Sequence, residues 1–254
     1  MLTNGVTYDY VMNHLGTVSQ AKIEEGRAFT GYRDAHIPKL PLSARHPWIS
    51  VCYRRNTAAG ILVDTVFMIP DLVDGHLPPG RFRCSVPELE ARFVAHTDFD
   101  ASSTRVSLFQ GFLRYLAMWQ LLEERSGLPP STLLRYVWVA GSFASIRLDP
   151  TDIDITPVVD GDVADSVRKR GIKKLIGDRT SIKAKYGVEV FPITWVPVVS
   201  ALSAEGRSAQ EAAYISDRGK LDDFWQRRRS NEAIKAPPTV EECATRRGYL
   251  EVIV

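Results

Sequence analysis

Thiols are scarce in this chain of 254 residues: Cys52, Cys84 and Cys243 are its only cysteines, and no two form a C-x-x-C pair. That excludes a disulfide scaffold and a thiolate zinc site, and suits a reduced, cytoplasmic protein with inert thiols. The five histidines are dispersed, with no H-E-x-x-H or H-x-x-x-H spacing, so no histidine metal site is expected either. No run approaches the roughly 18 apolar residues that a membrane helix needs. The start, Met-Leu-Thr-Asn-Gly, lacks a charged segment followed by an apolar core, so no secretory leader and no membrane partner are expected. Charge of one sign is also nearly absent in bulk: a net +2 is too small to argue nucleic-acid binding by itself. Local basic runs at 168–170, 173–174, 227–229 and 246–247 read as solvated faces.

What is present belongs to an ordinary globular chain, with 44% hydrophobic and 24% charged residues. The length fits one large domain, or a main domain with an addition. Residues 48–53 and 61–69 are predicted strands joined by a loop over 54–60, and 17–29 is a predicted short helix. His14, His36 and His46 are expected to be structural or surface residues. Leu77-Pro78-Pro79-Gly80 is the clearest punctuation, which predicts an N-terminal, β-containing addition over 1–76 and a main domain over 77–254.

Within the main domain, Ser85 followed by Pro87 and early acids predicts a helix over 85–93. Val106, Phe109, Phe112, Leu113 and Leu116 recur at three and four residues, predicting a helix over 103–125 stopped by Gly127 and Pro129-Pro130. Strands are predicted over 134–140, from Asp152 to 159, over 186–193 and over 248–254. Further helices are predicted over 163–176 and 208–229. The fold class expected is α/β (α+β), a mixed β-sheet flanked by helices.

The most informative stretch is 136–155, an apolar strand, the turn Gly141-Ser142, and a second strand carrying Asp152 and Asp154. Alternation puts acids at i and i+2 on one face, with Ile153 and Ile155 on the other. Two carboxylates on one face repel unless a cation sits between them, and hard divalent ions take oxygen ligands. A Gly-Ser turn holds phosphate through backbone N–H groups where a helix starts at it. The competing reading makes Asp149-Pro-Thr-Asp152 a simple turn whose acids bond nearby backbone. In the apolar run 186–193 the single central charge is Glu189, which is costly to bury alone. Beside the aspartate strand it becomes a third metal ligand or the base for an attacking hydroxyl. On an edge it faces water.

Gly141-Ser142, Asp152-Ile-Asp154 flanked by apolar residues, and Glu189 between Val188 and Val190 together resemble the polymerase-β-like nucleotidyltransferase superfamily. The layout over 77–254 also resembles a group of small bacterial and phage proteins of unassigned role. The resemblance implies a nucleotidyltransferase-like sheet and two Mg²⁺ ions, with Mn²⁺ as a substitute, held by Asp152, Asp154 and Glu189. It implies a triphosphate held by Gly141 and Ser142, with Lys183 and Lys185 as candidates for phosphate contact. Many relatives carry Asp where this chain has Glu189, one methylene longer but still an oxygen donor.

The activity implied is transfer of an NMP from an NTP to an RNA (tRNA-like) or protein acceptor. A toxin–antitoxin, phage or defence setting, with a cognate antitoxin or other protein partner, goes with it. Two other classes stay open: a non-catalytic binding protein on the same fold, and a metal-dependent nuclease, against which the Gly-Ser turn argues because hydrolysis needs no triphosphate cradle.

Overall fold

The computed structural model describes residues 51–57, 60–66, 69–167, 169–199, 201–228 and 239–254. The predicted helix over 17–29 and the three N-terminal histidines lie outside them. The chain divides into two units, 1–66 and 67–254, so the division falls ahead of the expected boundary at 76/77. In the first unit, β1 (Val51–Thr57) and β2 (Gly60–Val66) form an antiparallel hairpin, from Val51↔Val66 to Thr57↔Gly60. The expected loop over 54–60 is therefore mostly strand: Arg54, Arg55 and Asn56 pair with Val63, Leu62 and Ile61.

The second unit is a mixed sheet flanked by helices. Its elements are β3 (Gly80–Ser85), α1 (Val86–Phe93), α2 (Arg105–Arg125), β4 (Leu134–Ala140), β5 (Ile153–Asp160), α3 (Gly161–Ser166), α4 (Lys169–Ile176), α5 (Arg179–Tyr186), β6 (Val188–Val190), β7 (Ile193–Trp195), α6 (Ala209–Gln226), α7 (Val240–Ala244) and β8 (Gly248–Ile253). The sheet order is β3-β8-β4-β5-β6, with β7 also pairing β5. The last strand thus lies inside the sheet, between β3 and β4, parallel to β3 and antiparallel to β4.

Leu77-Pro-Pro-Gly80 is no linker. Leu77 is buried and its carbonyl accepts from the Gly248 N–H at 2.8 Å, which seats β8 beside β3. Helix α1 begins as the sequence predicts, with a capping box in which Ser85 and Glu88 satisfy each other's backbone N–H groups. The predicted helix over 163–176 is broken in two, because Val167 is extended and buried between α3 and α4. The predicted strand over 186–193 is likewise split. Helix α5 runs through Tyr186, Gly187 caps it at φ 67°, and Pro192, which has no N–H to donate, separates β6 from β7.

Both sheet faces are buried. Trp138, Ala140, Val158, Ile193 and Tyr249 form one core with Tyr214 and Trp225 of α6. The alternate set, Val137, Val139, Ile153, Ile155, Leu250 and Val252, is buried as well, and α2 lies against β5, β6, α4 and α5.

Helix α2 carries a buried charge at each end. Arg105, fully buried, donates to five carbonyls: Phe93 (2.9 Å), Phe143 (2.8 Å), Ser145 (2.8 Å), Arg147 (2.5 Å) and Leu148 (3.3 Å). Its guanidinium stacks 3.8 Å from the Phe99 ring centre, and burial lowers its pKa to about 10. Glu123 accepts from the Leu133 (2.7 Å), Leu134 (3.2 Å) and Ser131 (3.1 Å) N–H groups, fixing the start of β4, while burial raises its carboxyl above the usual range.

Arg105→Met keeps the aliphatic volume but strands five carbonyls. Urea denaturation should show a loss of at least about 3 kcal/mol. A loss under about 1 kcal/mol, the value of one ordinary hydrogen bond, would show that the fork carries little.

Candidate functional site

The acids expected to converge do so at one end of β5. Asp154 on β5 and Glu189 on β6 are register partners in a parallel pair, so their side chains leave the same face. Asp152 sits two residues before Asp154 and shares that face. The Lys183 ammonium on α5 lies 2.5 Å from Asp152 Oδ2 and 2.8 Å from Glu189 Oε2, so one cation bridges both carboxylates. Arg179, one turn earlier on α5, donates to Glu189 Oε1 at 2.8 Å. Glu189 is therefore neither lone nor simply facing water. An open depression lined by Arg179, Thr180, Lys183, Ala184 and Glu189 leads to this cluster.

Gly141 closes the cluster from β4. Its φ is +70°, and a Cβ there would lie 1.8 Å from Asp154 Oδ2, so only glycine lets the turn lie against that carboxylate. Ser142 is half-buried and its carbonyl accepts from Ser145 Oγ at 2.7 Å. No helix starts at this turn, the condition on which phosphate binding by its N–H groups depended. Residues 141–144 make a turn, and Ser145 then bridges to His76, so no helix dipole stands behind Gly141 and Ser142. The Asp149-Pro turn is structural, because Asp149 accepts from the Ser103 N–H at 2.7 Å at the start of α2. Asp152, three residues on, belongs to the acid cluster instead.

The charges sort by environment. Burial first, then the neighbouring Asp152 and Glu189 carboxylates, push Asp154 up to about 7. Glu189 is held below the usual carboxylate range, mainly by its hydrogen bond from Lys183. Lys183 is raised well above the ordinary lysine value, by Asp152 first and Glu189 second. Arg247, just before β8, lowers Asp154, which places a further cation in the field of the site.

The donor set consists of carboxylate oxygens, and an ammonium already stands between two of them. That composition fits a hard divalent cation. As the side chains stand, no group of three or more His, Cys, Asp or Glu among the described residues is gathered around one metal position. Asp152 and Glu189 are turned to Lys183 instead.

Helix α5 brings Lys183 and Arg179 to the acids, and periodicity did not reveal it. The usable signal was its caps: Asp178 accepts from the Ser181 N–H, and Gly187 ends the helix. Arg247 had no sequence signal beyond a basic pair.

Residues 70–253 match a family described as "Family of unknown function (DUF6932)". The chain belongs to that family. No curated protein and no solved structure matches it.

Asp154 supplies a test by stability alone. Its folded pKa is about 7 against an unfolded value near 3.9, so the carboxyl is neutral in both states below pH 4. Ionising it in the fold costs progressively more between the two values, and fully above pH 7. Asp154→Asn should therefore stabilise the protein at pH 8 by up to about 4 kcal/mol, a gain that shrinks toward zero near pH 4. Melting curves across that range measure it, and a gain independent of pH would place the buried charge elsewhere.

Proposed function

We propose that the chain is a nucleotidyltransferase of polymerase-β-like fold that moves an NMP from an NTP to an RNA or protein acceptor. The observation that carries the reading is the meeting of Asp152, Asp154 and Glu189 on one sheet face with Gly141 packed against Asp154. Asp152, Asp154 and Glu189 would hold Mg²⁺, which supplies neutralisation of the triphosphate and of the pyrophosphate leaving group. Gly141 keeps the turn free of a side chain, so that the phosphates approach beside Asp154. Lys183 moves from the carboxylates to the phosphates, and Arg179 stays on Glu189 and holds its orientation. An acceptor hydroxyl oxygen bonds the α-phosphorus, the bond to the β-phosphate breaks, and the hydroxyl proton is taken up by the carboxylate cluster. In this reading the protein works in the cytoplasm, where nucleotides and reduced thiols are found. Among the described residues no helix is long and apolar enough to cross a membrane.

One observation favours a second reading. Lys183 and Arg179 already neutralise Asp152 and Glu189, as in a binding protein that keeps the fold without the chemistry.

The two separate by experiment. The chain is incubated with each α-labelled NTP, Mg²⁺ and total cellular RNA or protein, and the products are resolved on gels. Label should enter a macromolecule, and Asp152→Asn/Asp154→Asn should abolish that entry. Mg²⁺–NTP should also raise the melting temperature of the wild type and not of the double variant. No transfer with any nucleotide, together with no thermal shift, would establish the binding-protein reading.

A further inference from the structure

Positive charge is concentrated in one segment of this chain, which meets the acid cluster through Arg179 and Lys183. Residues 168–185 contain eight Lys or Arg and one Asp, a net of +7 in a chain whose total is +2. The remainder is therefore net acidic. Residues 169–176 and 179–186 form two adjoining helices, α4 and α5. Ile172 and Leu175 of α4, and Ile182 and Tyr186 of α5, are buried. Lys173, Lys174, Arg179, Lys183 and Lys185 are exposed. The one acid, Asp178, is committed to capping α5, accepting from both the N–H and the hydroxyl of Ser181.

Two features separate this surface from an ordinary solvated face. Each helix has eight residues and is thus about 12 Å long, so the cations extend over several phosphate spacings, not around one anion. The cationic segment also reaches the site, since Arg179 and Lys183 contact Glu189 and Asp152 and line the depression beside them. An acceptor carrying one negative charge per residue would be repelled by three carboxylates unless a cationic track led it in.

We propose that the exposed face of α4 and α5 binds the phosphodiester backbone of a single-stranded nucleic acid and delivers its end to the acid cluster. The inference rests on the transferase reading and selects its acceptor: a polynucleotide, not a protein hydroxyl. Recognition is by charge, so sequence preference is weak and salt dependence strong.

The test is binding of labelled single-stranded RNA and single-stranded DNA to the full chain, followed by fluorescence anisotropy across a salt series. Contacts to about four phosphates predict that affinity falls about fiftyfold between 50 and 200 mM salt. Lys173→Glu/Lys174→Glu/Lys185→Glu should weaken binding about tenfold or more and flatten the salt slope. The corresponding triple arginine variant should bind like wild type, and both should melt at the wild-type temperature. Asp152→Asn/Asp154→Asn should bind as well as wild type or better, because removing negative charge does not disturb the track. RNA bound and DNA not would identify a ribose-dependent acceptor, and equal binding a backbone-only one, and both support the proposal. Failure to bind either polymer would overturn it, as would undiminished binding by the glutamate variant. Equal affinity for acidic polyglutamate would overturn it in favour of an acidic protein partner. Binding without nucleotide transfer would leave this surface standing and remove the transferase reading. Transfer to protein with no nucleic acid bound would do the reverse.

Discussion

Everything near the acid cluster hangs on the guanidinium of Arg105. A buried cation without a buried carboxylate must find its compensation in dipoles, and this one finds five main-chain carbonyls. Four of them belong to the loop between the Gly141 turn and the Asp152 strand, and the fifth ends α1. The loop could not be left to water, because Phe143 and Ala144 within it are buried. Arg105 thus converts an irregular segment, which lacks its own ladder of hydrogen bonds, into a rigid spacer. The β4–β5 ladder, in which Ala140 pairs with Asp154, sets Gly141 against that carboxylate, and the braced loop joins the two strands. Glu123 does the same at the far end of α2 for the start of β4, so one helix anchors the start of β4 and the loop that follows Gly141.

The cluster itself is a problem of like charges solved in two ways. Asp152, buried, and Glu189, half-buried, are neutralised by Lys183 and Arg179 at hydrogen-bond distance. Asp154, pressed by Gly141, has no such partner, and its carboxyl is pushed up by burial and by its acidic neighbours. The cluster therefore has its outer acids caged by cations and its inner acid pushed up to about 7. A ligand bringing positive charge would compete with Lys183 for the outer pair and draw the proton from the inner one.

How much of this was readable in the sequence depends on whether a residue's role followed from local pattern. Period-two alternation located Asp152, Asp154 and Glu189, because a carboxylate in an apolar run stands out and its face is fixed by its neighbours. The strands β4 and β8 and the helices α1 and α2 were legible for the same reason. Strand β3 was not, since Arg81 and Arg83 make it look polar. Their partner, Glu251, lies 168 residues beyond Arg83, inside the sheet. Arg105 and Glu123 were invisible because a charged residue on an amphipathic helix reads as solvated, and only the tertiary fold shows that it is buried. Lys183 was legible as a candidate for phosphate contact, but its bridging place between two acids requires α5, whose short apolar pattern of Ile182 and Tyr186 is too slight to announce a helix.

These misses share a cause that bears on function. Each unread residue is a charge whose partner lies elsewhere in the chain or on an element without its own periodic signal. Pattern therefore finds the acids, but it does not find the cations that decide what the acids are doing. A bare acid triad invites a metal at once. The triad as folded offers one only to a ligand able to displace an ammonium held by two short ion pairs. Electrostatic competition of this kind is strong when the incoming species carries both a divalent charge and phosphates for the displaced lysine to follow. Under the proposed function, a metal ion alone would meet the first condition and a metal–nucleotide complex would meet both, which is why the proposal gives the caged site to the complex.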